Sequence, residues 1–153
     1  MRYAKNILSS IVLISTLSFI PNESTASIPK KQLNCLTEAV YHEARGEPIA
    51  GQKLVAKTIL QRTKSKDFPN TVCGVISEKS QFSYRSKRGS RSTIKEPATY
   101  KKIESLVKTE ATNFTSSKSN PLYFYNPRKA NPSWAKRMKV VKRAGNHVFL
   151  RPI

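Results

Sequence analysis

A helical pattern that is broken once and then restarts constrains this chain more than any other feature. Leu36, Ala39, Val40 and Ala44 recur at the three- and four-residue spacing of one helix face, from about Leu33 onward. Gly46 interrupts the pattern and Pro48 follows directly after Glu47. Glycine where a helix ends and proline where the next begins is the expected asymmetry. A second helix is therefore predicted from Pro48 to Arg62. Its core face is Leu54, Val55, Ile59 and Leu60, with Ala50 and Ala56 allowing close approach. Asp67 to Asn70 reads as a turn, with Asn70 capping a short helix through Ile76 that carries Cys73 inward. A third long helix is predicted over Pro97–Ala111, with Tyr100, Ile103, Leu106 and Val107 on its core face.

The remainder is less regular. Gln81 to Tyr84 reads as extended or irregular, and Arg85 to Arg91 as a basic Ser/Gly-rich loop. Thr112 to Asn120 is polar and loop-like, and Leu122 to Tyr125 a short strand. Ser133 is placed to cap a helix over Trp134–Arg143. Gly145-Asn146 is a turn signal before a last strand, His147 to Leu150. The sum is one α+β, predominantly helical domain with a small β element, two-stranded or irregular, and no internal repeat.

The first residues are set apart from this fold. Arg2 and Lys5 precede an apolar run, Ile7 to Ile20, and Ser24-Thr25-Ala26 offers small residues for cleavage after Ala26. That order is a secretory signal peptide, leaving a domain of residues 27–153. A retained N-terminal anchor is the alternative, although the run is short for a span. Export to the periplasm or beyond permits a disulfide between the two cysteines, Cys35 and Cys73. Two buried free thiols are the other reading. With so few cysteines and only His42 and His147 besides, a zinc site is not expected, and no cofactor is implied.

The net charge of +19 favours polyanionic partners. Inside a cell that would suggest nucleic acid. For an exported chain it suggests envelope polymers or a membrane surface, so no nucleic-acid partner is expected. Charge alone also fits a solvated surface, or a non-catalytic module that binds anionic envelope polymers.

Only nine residues are acidic, and one of these, Glu23, lies in the leader. Glu96, Glu104 and Glu110 lie on or beside a lysine-rich helix and read as surface partners. Glu43 differs, because it ends an apolar helix just before a glycine break. A carboxyl there can be partly desolvated, which raises its pKa toward that of a general acid, and still face a cleft. Pattern alone equally allows a solvated helix acid. Glu47, four residues on, could share that side or favour the next helix start.

The residues reached so far resemble the SleB/CwlJ-type cell-wall hydrolases. The likeness runs from about Leu33 to Arg151. It rests on Tyr41-His42-Glu43-Ala44-Arg45-Gly46-Glu47-Pro48, on Phe68-Pro69-Asn70-Thr71-Val72-Cys73-Gly74-Val75 and on Gln81-Phe82-Ser83. It continues through Tyr125-Asn126-Pro127, Pro132-Ser133-Trp134-Ala135 and Gly145-Asn146-His147-Val148-Phe149. The resemblance implies a lysozyme-like, lytic-transglycosylase-like fold acting on peptidoglycan, and the chain is expected to be a monomer. It maps the catalytic glutamate to Glu43 and supports the Cys35–Cys73 pairing.

On this reading Glu43 protonates the bond between N-acetylmuramic acid and N-acetylglucosamine. A transglycosylase then uses the same glutamate as base, whereas a muramidase uses water and usually a second carboxylate. Glu47 is the obvious candidate for that second group and reads more as an orienting residue. Tyr125 and Asn126 resemble a cleft-lining pair, and Gln81 and Ser83 could bind N-acetyl or hydroxyl groups. Core packing for Tyr125 and turn roles for Gln81 and Ser83 stay open, and Trp134 and His147 are expected in the core. Host wall remodelling and phage-driven lysis, an endolysin role, fit equally.

Overall fold

In the computed structural model, residues 28–79, 81–82, 84 and 93–153 are described. The expected signal peptide, Ser83 and the basic loop Arg85–Arg91 fall outside these residues. Four α-helices come first: α1 (Lys30–Ala44), α2 (Ile49–Arg62), α3 (Val72–Ser77) and α4 (Pro97–Thr112). Strand β1 (Tyr123–Tyr125), a 3-10 turn (Ser133–Arg137), β2 (Met138–Ala144) and β3 (His147–Pro152) follow.

Helix α1 is the hub, packing against α2, α3 and α4. Leu36, Ala39, Val40 and Ala44 on it are almost fully buried, as the spacing predicted, and Tyr41 is buried with them. Each large apolar side chain so buried contributes about 2 kcal/mol. Thr37 is buried too, and its hydroxyl donates to the Leu33 carbonyl 2.9 Å away. The Tyr41 hydroxyl accepts hydrogen bonds from the backbone N–H groups of Lys95 and Glu96. It thereby fixes the entry to α4, whose Ile103 and Val107 complete the core and whose Tyr100 and Leu106 pack at its margin.

Pro48 precedes the first residue of α2, and Val55, Ala56, Ile59 and Leu60 are buried as expected, whereas Leu54 is half-buried at the core margin. Ala50, in contrast, is exposed, and the close approach falls at Gly51 instead. A Cβ there would lie 3.5 Å from the Ala144 carbonyl oxygen, so glycine lets α2 meet β2. The cap of α3 is Thr71, not Asn70: its hydroxyl accepts from the Gly74 N–H at 3.1 Å. Cys35 and Cys73 form a disulfide with Cα atoms 5.4 Å apart, tying α1 to α3.

The β element has three antiparallel strands in the order β1-β3-β2 rather than two. The predicted helix over Trp134–Arg143 is not formed. Trp134, Ala135, Met138 and Val141 have helix-compatible spacing, but the chain makes only a 3-10 turn and then pairs as β2 with β3. β-branched Val140 and Val141 suit a strand. Gly145, at φ +58°, supplies the left-handed turn that folds β2 onto β3. The register slips between Val140 and Lys142, leaving Val141 as an extra bulge residue.

Candidate active-site cleft

A cleft of about 710 Å³ opens between the helical core and the sheet. Glu43 and His42 reach it from the end of α1, Glu47 from the break, and Arg62 from the end of α2. Tyr123 to Asn126 bring β1 to it, Lys129 and Ala130 a turn, Trp134 the 3-10 segment, and His147 the start of β3. Glu43, Glu47, Gln81, Tyr125 and Asn126 are thus brought together around one space.

Glu43 lies in the last turn of α1, half-buried, and its neighbours Tyr41 and Ala44 face the core. Among the described residues no group donates a hydrogen bond to its carboxylate. Burial pushes its pKa above the ordinary carboxyl value, with the charges of Lys129 and Arg62 opposing the shift. The result is a carboxyl that holds its proton more tightly than usual yet faces open space.

Glu47 has the opposite environment. Its two oxygens accept from the Asn146 backbone N–H at 2.8 Å and from the Asn146 side-chain amide at 3.1 Å. His147 Nδ1 lies 3.7 Å away. Burial raises its pKa, but the Asn146 hydrogen bonds and the charges of His147 and Lys129 outweigh this and hold it below the ordinary value. Glu47 therefore latches the helix break onto the β2–β3 turn. His147 is buried, and burial lowers its pKa first, with Glu47 opposing. It belongs to the latch and the cleft wall as well as to the core.

Arg62, which no sequence pattern marks as a site residue, also lines the cleft. It is 4% exposed, a burial level rare for a cation. Its Nε donates to the Leu122 carbonyl at 2.7 Å and its Nη1 to Gln81 Oε1 at 3.3 Å. Its guanidinium lies over Phe68, Tyr123 and Phe82, at 4.9, 5.7 and 6.0 Å from the ring centroids. Burial lowers its pKa from the ordinary arginine value to about 10, against the pull of Tyr123, Glu78 and Glu43, so it stays charged near neutrality. An arginine closing an apolar helix run was the available signal. Only the fold shows that it turns inward.

The opposite wall is aromatic. Trp134 stands 5.7 Å from Tyr123 and 5.9 Å from Tyr125 between ring centroids, which moves it from the expected core to the cleft. Asn126 uses Oδ1 to accept from the Arg128 N–H, and its carbonyl accepts from Lys129 and Ala130. It shapes the turn that carries Lys129. No group of three or more His, Cys, Asp or Glu among the described residues could hold a metal ion.

A family described as Cell Wall Hydrolase matches residues 46–150, starting just after Glu43. The spore cortex-lytic enzyme of Bacillus cereus (strain ATCC 14579) is 32% identical over 135 residues, covering 86% of this chain and 50% of the relative. That of Bacillus subtilis (strain 168) is 33% identical over 120 residues, covering 76% and 36%. The chain thus spans half or less of the length of these curated relatives. The catalytic domain of the germination-specific lytic transglycosylase SleB from Bacillus anthracis superposes with a TM-score of 0.65 at 35% identity, covering 86% of this chain and 100% of that one. The Bacillus cereus SleB catalytic domain gives 0.64, also at 35% identity, over 82% and 97%. The architecture is that of these domains, the lysozyme-like, predominantly helical α+β fold that the resemblance implied.

Proposed function

This chain belongs to the cell wall hydrolase family, and we propose that it is a lytic transglycosylase cleaving peptidoglycan between N-acetylmuramic acid and N-acetylglucosamine. The observation that carries the proposal is Glu43: a carboxyl with a raised pKa, on a rigid helix end, facing an aromatic-walled cleft.

Protonated Glu43 donates to the glycosidic oxygen as the bond to the muramic C1 breaks. The carboxylate left behind then takes the proton of the muramic C6 hydroxyl as that oxygen attacks C1. The product has a 1,6-anhydro end, Glu43 is protonated again, and no water is consumed. The Lys129 and Arg62 charges favour the ionised form during the step. Trp134, Tyr123 and Tyr125 offer ring faces for sugar stacking. Gln81, with its oxygen turned to Arg62, keeps its amide N–H groups for the glycan, and Asn126 likewise keeps its side-chain amide N–H groups. Ser83 is assigned a substrate hydroxyl or N-acetyl contact.

The muramidase alternative needs a second carboxylate free to activate water. Both Glu47 oxygens are already engaged by Asn146, which supports the one-carboxylate route and makes Glu47 a positioning group. The enzyme works in the cell envelope as a monomer, exported by a leader ending at Ala26, and needs no cofactor. The test is digestion of purified peptidoglycan with mass spectrometry of the released fragments. Anhydro-muropeptides are expected from wild type. Glu43→Gln should slow their release by roughly 100-fold or more. Reducing ends in place of anhydro ends would overturn the transglycosylase reading, and an undiminished rate in Glu43→Gln would overturn the assignment of the acid.

A further inference from the structure

The last acid in the chain is Glu110, so residues 111–153 hold cations without a single counter-charge. They are not spread evenly. Lys136, Arg137, Lys139, Lys142 and Arg143 all lie in the 3-10 turn and β2, and all are exposed. Arg151 joins them from β3. None takes part in the ion pairs found among the described residues, which use Arg45, Lys53 and His147.

Two features make this more than a share of the general basicity. β2 is an edge strand among the described residues, since the sheet order is β1-β3-β2, so no further strand pairs with its outer side. Lys139 and Arg151 are direct register partners across β2 and β3. Directly opposed side chains in an antiparallel pair have Cβ atoms about 5 Å apart, and like charges there are destabilising. A fold that keeps two cations face to face, with four more in the same hairpin and the turn before it, is suited to an anion that bridges them.

Helix α4 provides the contrast. Lys101, Lys102 and Lys108 are exposed there, but Glu104 and Glu110 alternate with them, and Glu110 pairs with Lys53 at 3.0 Å.

We propose that the 3-10 turn and the β2–β3 ladder form a docking surface for a linear polyanion of the cell envelope whose backbone carries phosphodiester groups. Phosphate matches both the point charge of lysine and the planar fork of arginine. A run of cations along an edge hairpin suits a chain-like polymer. A membrane surface is the less fitting partner. Among the described residues the exposed large apolar side chains are Ile49, Val140 and Ile153, and these make no apolar face of the kind an interfacial element buries. Trp134 and Met138 line the cleft from the same stretch of chain. A polymer held here would hold the enzyme against the wall beside its point of cleavage. Binding and cleavage are separate properties, since none of the six cations lines the cleft.

The probe is a fluorescently labelled long-chain polyphosphate, titrated with the full chain at several salt concentrations. Wild type and Glu43→Gln should bind alike. The triple variant Lys139→Gln/Lys142→Gln/Arg143→Gln should bind at least ten-fold more weakly and show a shallower dependence of log affinity on log salt, by about two. It should still digest soluble glycan fragments at the wild-type rate, which shows that it folds. The matched variant Lys101→Gln/Lys102→Gln/Lys108→Gln removes the same charge from α4 and should bind within two-fold of wild type. Equal losses in both triples would overturn the proposal in favour of net charge alone. Binding to vesicles of anionic phospholipid without binding to polyphosphate would overturn it in favour of a membrane surface.

Discussion

Residues 30–112 hold the four α-helices, the disulfide and every acid except Glu23, whereas residues 113–153 hold the whole sheet, no acid and no cysteine. The first part is closed by its own core and a covalent staple. The second sets Phe149 into that core, with Phe124 and Ala144 packed against it, and is pinned to it by polar pegs. Glu47 receives Asn146. Arg62 donates to the Leu122 carbonyl. Gln61 Oε1 accepts from Ser116, Ser117 and Asn120 in the loop that leads to β1. The cleft lies along this seam. Glu43, the proposed acid, comes from the helical part, and the aromatic wall and the exposed Lys129 come from the other, so the proposed site needs both parts.

The contrast can be tested by cutting each attachment in turn. Replacing both cysteines by serine should cost most, about 4 kcal/mol for a loop of this length on the chain-entropy argument. Denaturant unfolding would measure it, and a loss below 1 kcal/mol would mean that the helical part needs no staple. Arg62→Ala should come next, at about 3 kcal/mol, because the buried Leu122 carbonyl loses its side-chain donor and three rings lose a cation. Thermal melting would check the size, and glycan release should fall with it because Gln81 is no longer held.

Glu47→Gln should cost about 2 kcal/mol, since an amide cannot accept from both Asn146 donors. Hydrogen exchange should quicken selectively at Asn146 to Leu150, and an effect spread evenly over α1 and α4 would erase the distinction between the two parts. The pH sign is fixed by the lowered pKa. The stability that Glu47 contributes is present above the ordinary carboxylate value and is lost as pH falls through its lowered value. The variant should lack that acid-side loss.

The smallest effect is expected at Glu43, and in the opposite direction. Its raised pKa means that its contribution to stability is present below the ordinary carboxylate value and lost as pH rises through the folded value. Glu43→Gln should therefore melt higher than wild type near neutrality and converge with it in acid. A lower melting temperature at neutral pH would show that Glu43 also holds the fold together.

The helical part was legible because its information is local. The 3.6-residue period, the Gly46 break and Pro48 each act within a few residues, and α1, α2 and α4 appear nearly where periodicity puts them. The segment from Trp134 to Ala144 was not, because its helix-like spacing is overridden by pairing with β3, and that pairing depends on a turn beyond the segment. The cap of α3 moved by one residue because both Asn70 and Thr71 are good capping residues and only geometry chooses. At the site, Glu43 was visible as a helix-end acid in a family string. Arg62 and Trp134 were not, since burial of a cation and the placing of an indole in a cleft wall both follow from where distant segments meet.

Gly145 joins these threads. Its φ of +58° already disfavours any side chain, and a Cβ there would collide with Glu47 Oε2. The two constraints differ in origin: one belongs to the backbone and the other to a residue on the far side of the seam. In a mutational scan, position 145 should accept glycine alone. Shortening Glu47 should restore only part of the loss, leaving the backbone share. Positions 47 and 145 would then show epistasis across nearly a hundred residues of sequence, a genetic signature of how the helical part and the sheet are joined.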